Sequence, residues 1–372
     1  MKDQKIAVSS FRNALNTVKP ALASDVVLPI VSHFCFDGDT VYAYDGVNGI
    51  RVPMPEDAPK IRGAVPGSAL LKLVASLGGS SMAISSEQGY FRIKSGRSSM
   101  KLPMLDAESF IWEASTFGEV QQEIPITAEF IEGLKLCLLT VEDTALIKHY
   151  RGITADITNG HITLYSTNNN TLSVFDVAAS AIEAAEPLLL PRRFCQLLVD
   201  CCGGKEGPSE GMTLSIGDGF VAVTDPTLLE EHFFLVTSVI EGAKPSDFEE
   251  VLEHYLPKKK KAPTFPVNDS FTRALKRAVA ILSDEAVKTT AVEISGTEIT
   301  FRTSSSMGDV RDRVVFRDAK HAAKETVHKV VPPDLLLSAM SVCNQVHFAD
   351  KVIVCSRDDM YKQLVVYCTD QQ

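Results

Sequence analysis

Three stretches of this chain share one pattern: FRNAL at Phe11–Leu15, FIEGL at Phe130–Leu134 and FTRAL at Phe271–Leu275. Each is followed, 55, 61 and 61 residues after its Phe, by a proline that opens an apolar run: VPGSALLKLV at Val65-Pro66, LPRRFCQLLV at Leu190-Pro191 and VPPDLLLSAM at Val331-Pro332. The period is that of a whole domain, too long for a solenoid repeat. Three tandem copies of one domain are the simplest arrangement that yields it.

The spacing inside each motif predicts a helix. Phe11, Leu15 and Val18 fall at i, i+4 and i+7; Phe271, Leu275, Val279 and Leu282 fall at i, i+4, i+8 and i+11, and Phe130, Leu134, Cys137, Leu138 and Val141 follow the same helical spacing. Asn268-Asp269-Ser270 and Thr127 offer N-caps. Each proline suits the start of a second helix. Gly78-Gly79 and Gly203-Gly204 fit the ends of two of these. Between the paired helices lie hairpin turns at Asp37-Gly38-Asp39, Thr158-Asn159-Gly160 and Ser295-Gly296-Thr297. Further turns follow near Gln88-Gly89, Asp218-Gly219 and Asp350-Lys351. Each copy therefore reads helix, strands, helix, strands. The expected total is six helices and about two dozen strands, in domains 1–121, 122–258 and 259–372. EVQQE at Glu119–Glu123 and LPKKKKAP at Leu256–Pro263 read as linkers; the second also has the composition of a nuclear-localisation tract.

Composition excludes several classes. With 45% hydrophobic and 23% charged residues the 372-residue chain is globular. It has no apolar run of the roughly 18 residues that cross a bilayer, and no secretory leader is expected. Eight cysteines form no C-x-x-C pair, which fits buried thiols in a reducing compartment and argues against a structural zinc site. No phosphate-binding loop, nucleophile elbow or H-E-x-x-H is present, and the eight histidines have no ligand spacing. A nucleophile built on Cys201 or Cys202 is the one enzymatic alternative, set against two cysteines that simply end an apolar helix. No catalytic, metal or cofactor residue is expected.

The net charge of −10 argues against a nucleic-acid binder unless charge is segregated. The six predicted helices hold nine basic residues (Arg12, Lys19, Lys72, Lys135, Arg192, Arg193, Arg273, Lys276 and Arg277) against five acidic ones, while the rest of the chain is strongly acidic. A mildly basic helix layer on an acidic body can line a channel for a polyanion. Surface helices also carry Lys and Arg for solubility alone.

Four further strings carry a resemblance: Leu28-Pro29-Ile30-Val31; Ser95-Gly96-Arg97-Ser98 followed by Asp106–Phe110; Leu190-Pro191-Arg192-Arg193; and Ala280-Ile281-Leu282-Ser283-Asp284-Glu285. In this order, on a threefold repeat, they resemble the bacterial β sliding clamp, the processivity subunit of the replicative DNA polymerase. The distance is that of a remote member, such as a phage-encoded one. The resemblance implies an α+β fold of three tandem DNA-clamp domains, with helices lining the inside and antiparallel sheets outside. Two chains then close head to tail into a ring around duplex DNA, without catalysis or cofactor, in the cytoplasm at the nucleoid or replication fork.

The resemblance further implies sequence-independent DNA contacts by the nine basic residues above and Lys148. Arg97, Phe110, Ile281 and Leu282 would lie at a homodimer interface. A pocket of Tyr150, Thr167, Leu172, Pro245, Val251, Val352, Val354, Val365 and Val366 would take peptides from the DNA polymerase, the clamp loader and other clamp-binding-motif proteins. Departures stand at Thr167–Leu172 (TNNNTL), at Val365–Thr369 (VVYCT) and near Asp25, where the family has a basic residue. The competing expectation is a clamp-like scaffold that binds peptides and does not encircle DNA.

Overall fold

The computed structural model describes residues 5–23, 29–106, 119–158, 160–179, 182–202, 207–229, 233–240, 264–317, 323–349, 352–357 and 359–366. Among these are six α-helices, each at a Phe or Pro motif. They are α1 (Val8–Val18), α2 (Gly67–Ala75), α3 (Ala128–Cys137), α4 (Arg192–Cys202), α5 (Asp269–Ile281) and α6 (Pro333–Met340). The expected caps form: Thr127 Oγ1 accepts the Phe130 N–H at 3.1 Å and Asn268 Oδ1 accepts the Phe271 N–H at 2.9 Å. The prolines differ slightly from expectation. Pro66 and Pro332 are N-caps and Pro191 ends a strand just before α4.

The chain folds as two compact units, Met1–Glu132 with Arg193–Glu241 and Gly133–Arg192 with Gly242–Gln372. In the first unit one four-stranded antiparallel sheet runs β1 (Lys5–Ala7), β6 (Ser81–Glu87), β7 (Tyr90–Ser95), β8 (Ser98–Pro103). An eight-stranded sheet runs β5 (Ile61–Pro66), β2 (His33–Gly38), β3 (Thr40–Tyr44), β4 (Asn48–Pro53), β16 (Phe233–Ser238), β15 (Phe220–Thr224), β14 (Thr213–Gly217), β9 (Val120–Pro125). The second unit repeats the plan. Its eight strands are β13 (Ala185–Pro191), β10 (Gly152–Thr158), β11 (His161–Thr167), β12 (Thr171–Ala178), β24 (Tyr361–Val366), β23 (Val352–Ser356), β22 (Gln345–Phe348) and β17 (Thr264–Pro266). Its four are β20 (Gly308–Val315), β19 (Glu298–Ser305), β18 (Thr290–Gly296) and β21 (Ala323–Val331).

Each eight-stranded sheet joins strands of successive sequence repeats, through β4–β16 and β12–β24. This is why the two units do not coincide with the three repeats: backbone pairing fuses neighbouring repeats edge to edge. The expected boundary at residue 121 falls inside β9, and that at 258 lies outside the described residues. The joints also carry buried polar bonds. Thr237 Oγ1 donates to Asn48 Oδ1 at 2.9 Å across β4–β16, and Tyr361 links to Ser173 at 3.1 Å across β12–β24.

The repeated Phe is a core wedge. Phe11 stacks on Phe36 of one sheet and Phe91 of the other, at 6.2 and 6.4 Å, and Phe271 meets Phe301 edge-on at 5.3 Å. All these rings are buried, each contributing about 1.5–3 kcal/mol. The small residue of the motif is dictated by close approach: a Cβ on Gly133 would lie 2.7 Å from Leu164 and Phe175 side chains. The turns follow the sequence too, with Gly38 and Gly296 at φ +69° and +58°.

Candidate nucleic-acid interface and partner surfaces

Burial of one helix face turns the other outward, and the basic residues divide into two groups. Four arginines are fastened. Arg12, half-buried, donates to the Val74 carbonyl at 3.0 Å, tying α1 to the end of α2. Arg192 donates to the Val141 carbonyl and pairs with Asp143 at 3.5 Å. Arg193 donates to the Pro20 carbonyl. Arg277 grips Asp312 with two bonds of 2.9 and 2.6 Å. Lys19, Lys72, Lys135, Lys148, Arg273 and Lys276 are exposed, Arg273 with Ser270 Oγ at 3.5 Å. Lysine ammonium groups on flexible stems suit exchangeable phosphate contact better than fixed guanidinium forks do.

A second surface forms around the β11–β12 turn. Leu172, Val352 and Val354 gather with Tyr165, Val174, Ala349 and Leu364 into one buried apolar cluster, and Val365 is also buried. These expected pocket residues are therefore a floor, already in contact with one another. Tyr150 and Thr167 stand higher, half-buried. Tyr150 Oη donates to Asn169 Oδ1 at 3.4 Å, and Thr167 Oγ1 donates to the Thr171 carbonyl at 2.8 Å. Asn168 Oδ1 accepts from the N–H of Asn170 and Thr171 and from the Thr171 hydroxyl, while Asn169 adopts φ +72°. The asparagines thus build a self-bonded turn. Pro245 and Val251 lie outside the described residues, and Val366 is described by its backbone alone, paired with Val352.

Sequence reasoning missed an apolar projection beside this turn. Leu146 is 95% exposed, and Ile147 next to it is exposed too, on a loop closed by the Glu142 N–H to Tyr150 carbonyl bond and by Arg151 Nε on the Ala145 carbonyl at 2.7 Å. Periodicity gave no warning, because an apolar residue in an irregular segment has no face to be assigned to.

Of the expected dimer residues, Arg97 is exposed in the β7–β8 turn and Ile281 is half-buried. Leu282 is only 2% exposed, packed inside its own repeat, and Phe110 lies outside the described residues. Among the outer strands of the four sheets are β8 and β20, each an edge of a four-stranded sheet.

Cys201 is exposed, but desolvation of its thiol and the neighbouring Asp200 push its pKa up to about 11. Burial, the thiol of Cys201 and Asp225 push Cys202 up to about 12. Both are the reverse of nucleophile activation. Among the described residues no three His, Cys, Asp or Glu gather as a metal site, and no helix is long and apolar enough to cross a membrane.

Six helices, four antiparallel sheets and the edge-to-edge joints define the three-repeat clamp fold. Solved structures of DNA polymerase III β subunits share it over nearly the whole chain. The Pseudomonas aeruginosa sliding clamp bound to griselimycin matches with TM-score 0.85 at 16% identity, covering 98% of this chain and 99% of that one. The Helicobacter pylori β clamp bound to a DNA ligase peptide matches with TM-score 0.81 at 17% identity, and the Thermotoga maritima β subunit with 0.81 at 16%, both with the same coverage. No protein-family model and no curated protein matches the sequence.

Proposed function

We propose that this protein is a DNA sliding clamp: a non-enzymatic processivity factor that encircles duplex DNA as a head-to-tail homodimer and tethers a DNA polymerase. Its three domain copies are 1–121, 122–258 and 259–372. The observation that carries the reading is the sheet order. β4–β16 joins the first sheet of repeat one to the last sheet of repeat two, and β12–β24 does the same one repeat on. By that rule the free edge β20 of repeat three seeks the free edge β8 of repeat one. Two chains related head to tail satisfy both edges at once and close. On the helix side of these strands Val310 and Met100 are half-buried, poised to complete an apolar contact.

The exposed lysines supply a thin positive layer that holds duplex DNA loosely, while the chain's net charge of −10 discourages binding elsewhere. The peptide that the Helicobacter pylori clamp binds and the ligand of the Pseudomonas clamp support a partner site here too. The apolar floor under the Asn168–Asn170 turn, with Tyr150 on its rim, is where an aliphatic or aromatic anchor would seat. Through it the polymerase, a clamp loader and other motif-bearing proteins would be held, at the replication fork in the cytoplasm. Retention on nicked circular DNA, with release when the circle is linearised, tests topological binding. Equal retention on both forms refutes it and favours the non-encircling scaffold.

A further inference from the structure

The tripled motif aligns the repeats residue by residue. Phe11 and Phe271 hold the same place, so Ser10, Asn13, Asn16 and Thr17 of α1 correspond to Ser270, Arg273, Lys276 and Arg277 of α5. Pro66 and Pro191 also correspond, which equates Ser76 at the end of α2 with Cys201 at the end of α4. In the first unit α1 and the end of α4 face each other beside the β4–β16 joint. They enclose a cavity of about 610 Å³ whose walls include Asn13, Asn16, Thr17, Cys201 and Phe234.

The end of α2 has a cavity of its own, about 410 Å³, beside the free edge β8. Ser76, Gly78, Gly79, Ser95, Gly96 and Ser98 are among its walls, and all of its lining comes from the turn that follows α2 and from the β6–β8 sheet. The wall that α1 supplies in the first cavity has no counterpart here. If β20 of a second copy pairs with β8, the helix that arrives in that position is the copy's α5.

Resting on the ring reading, we infer that Arg273 and Lys276 of one copy enter the serine- and glycine-lined cavity at the end of α2 in the next. They act there at the ring joint and not on the duplex. The chemistry fits. The last carbonyls of α2 carry the negative end of the helix dipole. The chain itself already brings a guanidinium to them, Arg12 on the Val74 carbonyl. The walls offer hydroxyls and no charged side chain, and the glycines leave room for long stems. Lys72, one turn back on α2, is exposed and is not among the lining residues. Arg277 is held by Asp312 in its own chain and takes no part. At the α1 counterpart, where the joint is within one chain, the positions are the uncharged Asn13 and Asn16, and at the α3 counterpart they are Glu132 and Lys135, which cancel in charge.

The test is the dimer dissociation constant by sedimentation equilibrium, read alongside the salt dependence of retention on nicked circles. Replacing both residues (Arg273→Ala with Lys276→Ala) is expected to weaken the dimer roughly 100-fold, about tenfold at each of the two joints, as two cations leave a helix C-terminus at each. Above both dissociation constants the salt slope should stay unchanged. Lys19→Ala with Lys148→Ala should do the opposite. Ser76→Lys should weaken the dimer, and adding Lys276→Glu should restore part of the loss. A dimeric wild type whose Arg273/Lys276 variant dimerises normally but has a shallower salt slope overturns this assignment alone. A monomeric wild type at tens of micromolar overturns the ring with it.

Discussion

Placing one carboxylate on the helix side of the free edge strand would test the ring at its proposed seam. Val310 of β20 is half-buried in the single chain, and Met100 of β8 is in the same state. Pairing would bury what remains of both. Half a valine side chain is worth about 1 kcal/mol of apolar burial. Val310→Asp forfeits that and must desolvate a carboxylate in the apolar part of the seam, a cost of about 2 kcal/mol or more. The sum is about 3 kcal/mol at each of the two seams of a closed ring, about 6 kcal/mol in all, and raises the dimer dissociation constant on the order of 10,000-fold. The single chain should fold normally, because Val310 is partly open to water there. Sedimentation equilibrium reads the constant and circular dichroism checks the fold. Val120→Asp is the control: Val120 is 40% exposed on β9, an outer strand with no partner in the head-to-tail scheme. Equal dimer affinity in Val310→Asp and wild type, or equal weakening by Val120→Asp, would refute the edge-pairing argument.

Three other outcomes are expected. Tyr361→Phe should cost about 1–3 kcal/mol of unfolding free energy in urea, because Gln363 and Ser173, both buried, lose the phenol hydroxyl they bond. Glu285 accepts the backbone N–H and the hydroxyl of Ser306, which hold its carboxyl below the ordinary 4.5. A depressed carboxyl stabilises the fold above 4.5 and loses that contribution as pH falls through the lower folded value. Glu285→Gln should therefore flatten the acid limb of a stability–pH profile and leave its slope near neutrality alone. Cys201, raised to about 11, should resist iodoacetamide at pH 7 and react progressively faster toward that value, as mass spectrometry would read; fast labelling at neutral pH would contradict the environment described.

Much of the fold was legible in the chain. The Phe and Pro motifs located all six described helices, and the Gly38 and Gly296 turns fell where hairpins were expected, because helix faces and tight turns are set by neighbours within a few residues. The basic residues were legible as a class but not in their roles. Only the folded chain separates fastened Arg12, Arg192, Arg193 and Arg277 from the outward lysines, since their carbonyl and carboxylate partners lie up to 173 positions away. Leu282 likewise carried a surface role on its string alone, and packing placed it inside.

What the sequence by itself determined is the repeat: three copies, six helices, and one Phe wedge per copy held by local periodicity. What only the tertiary structure decided is how the copies join. Strand edges pair through backbone groups that every residue carries, so no side-chain pattern announces that β4 meets β16 or β12 meets β24. The same anonymity left β8 and β20 unreadable as open edges until the sheet order placed them at the ends of their sheets.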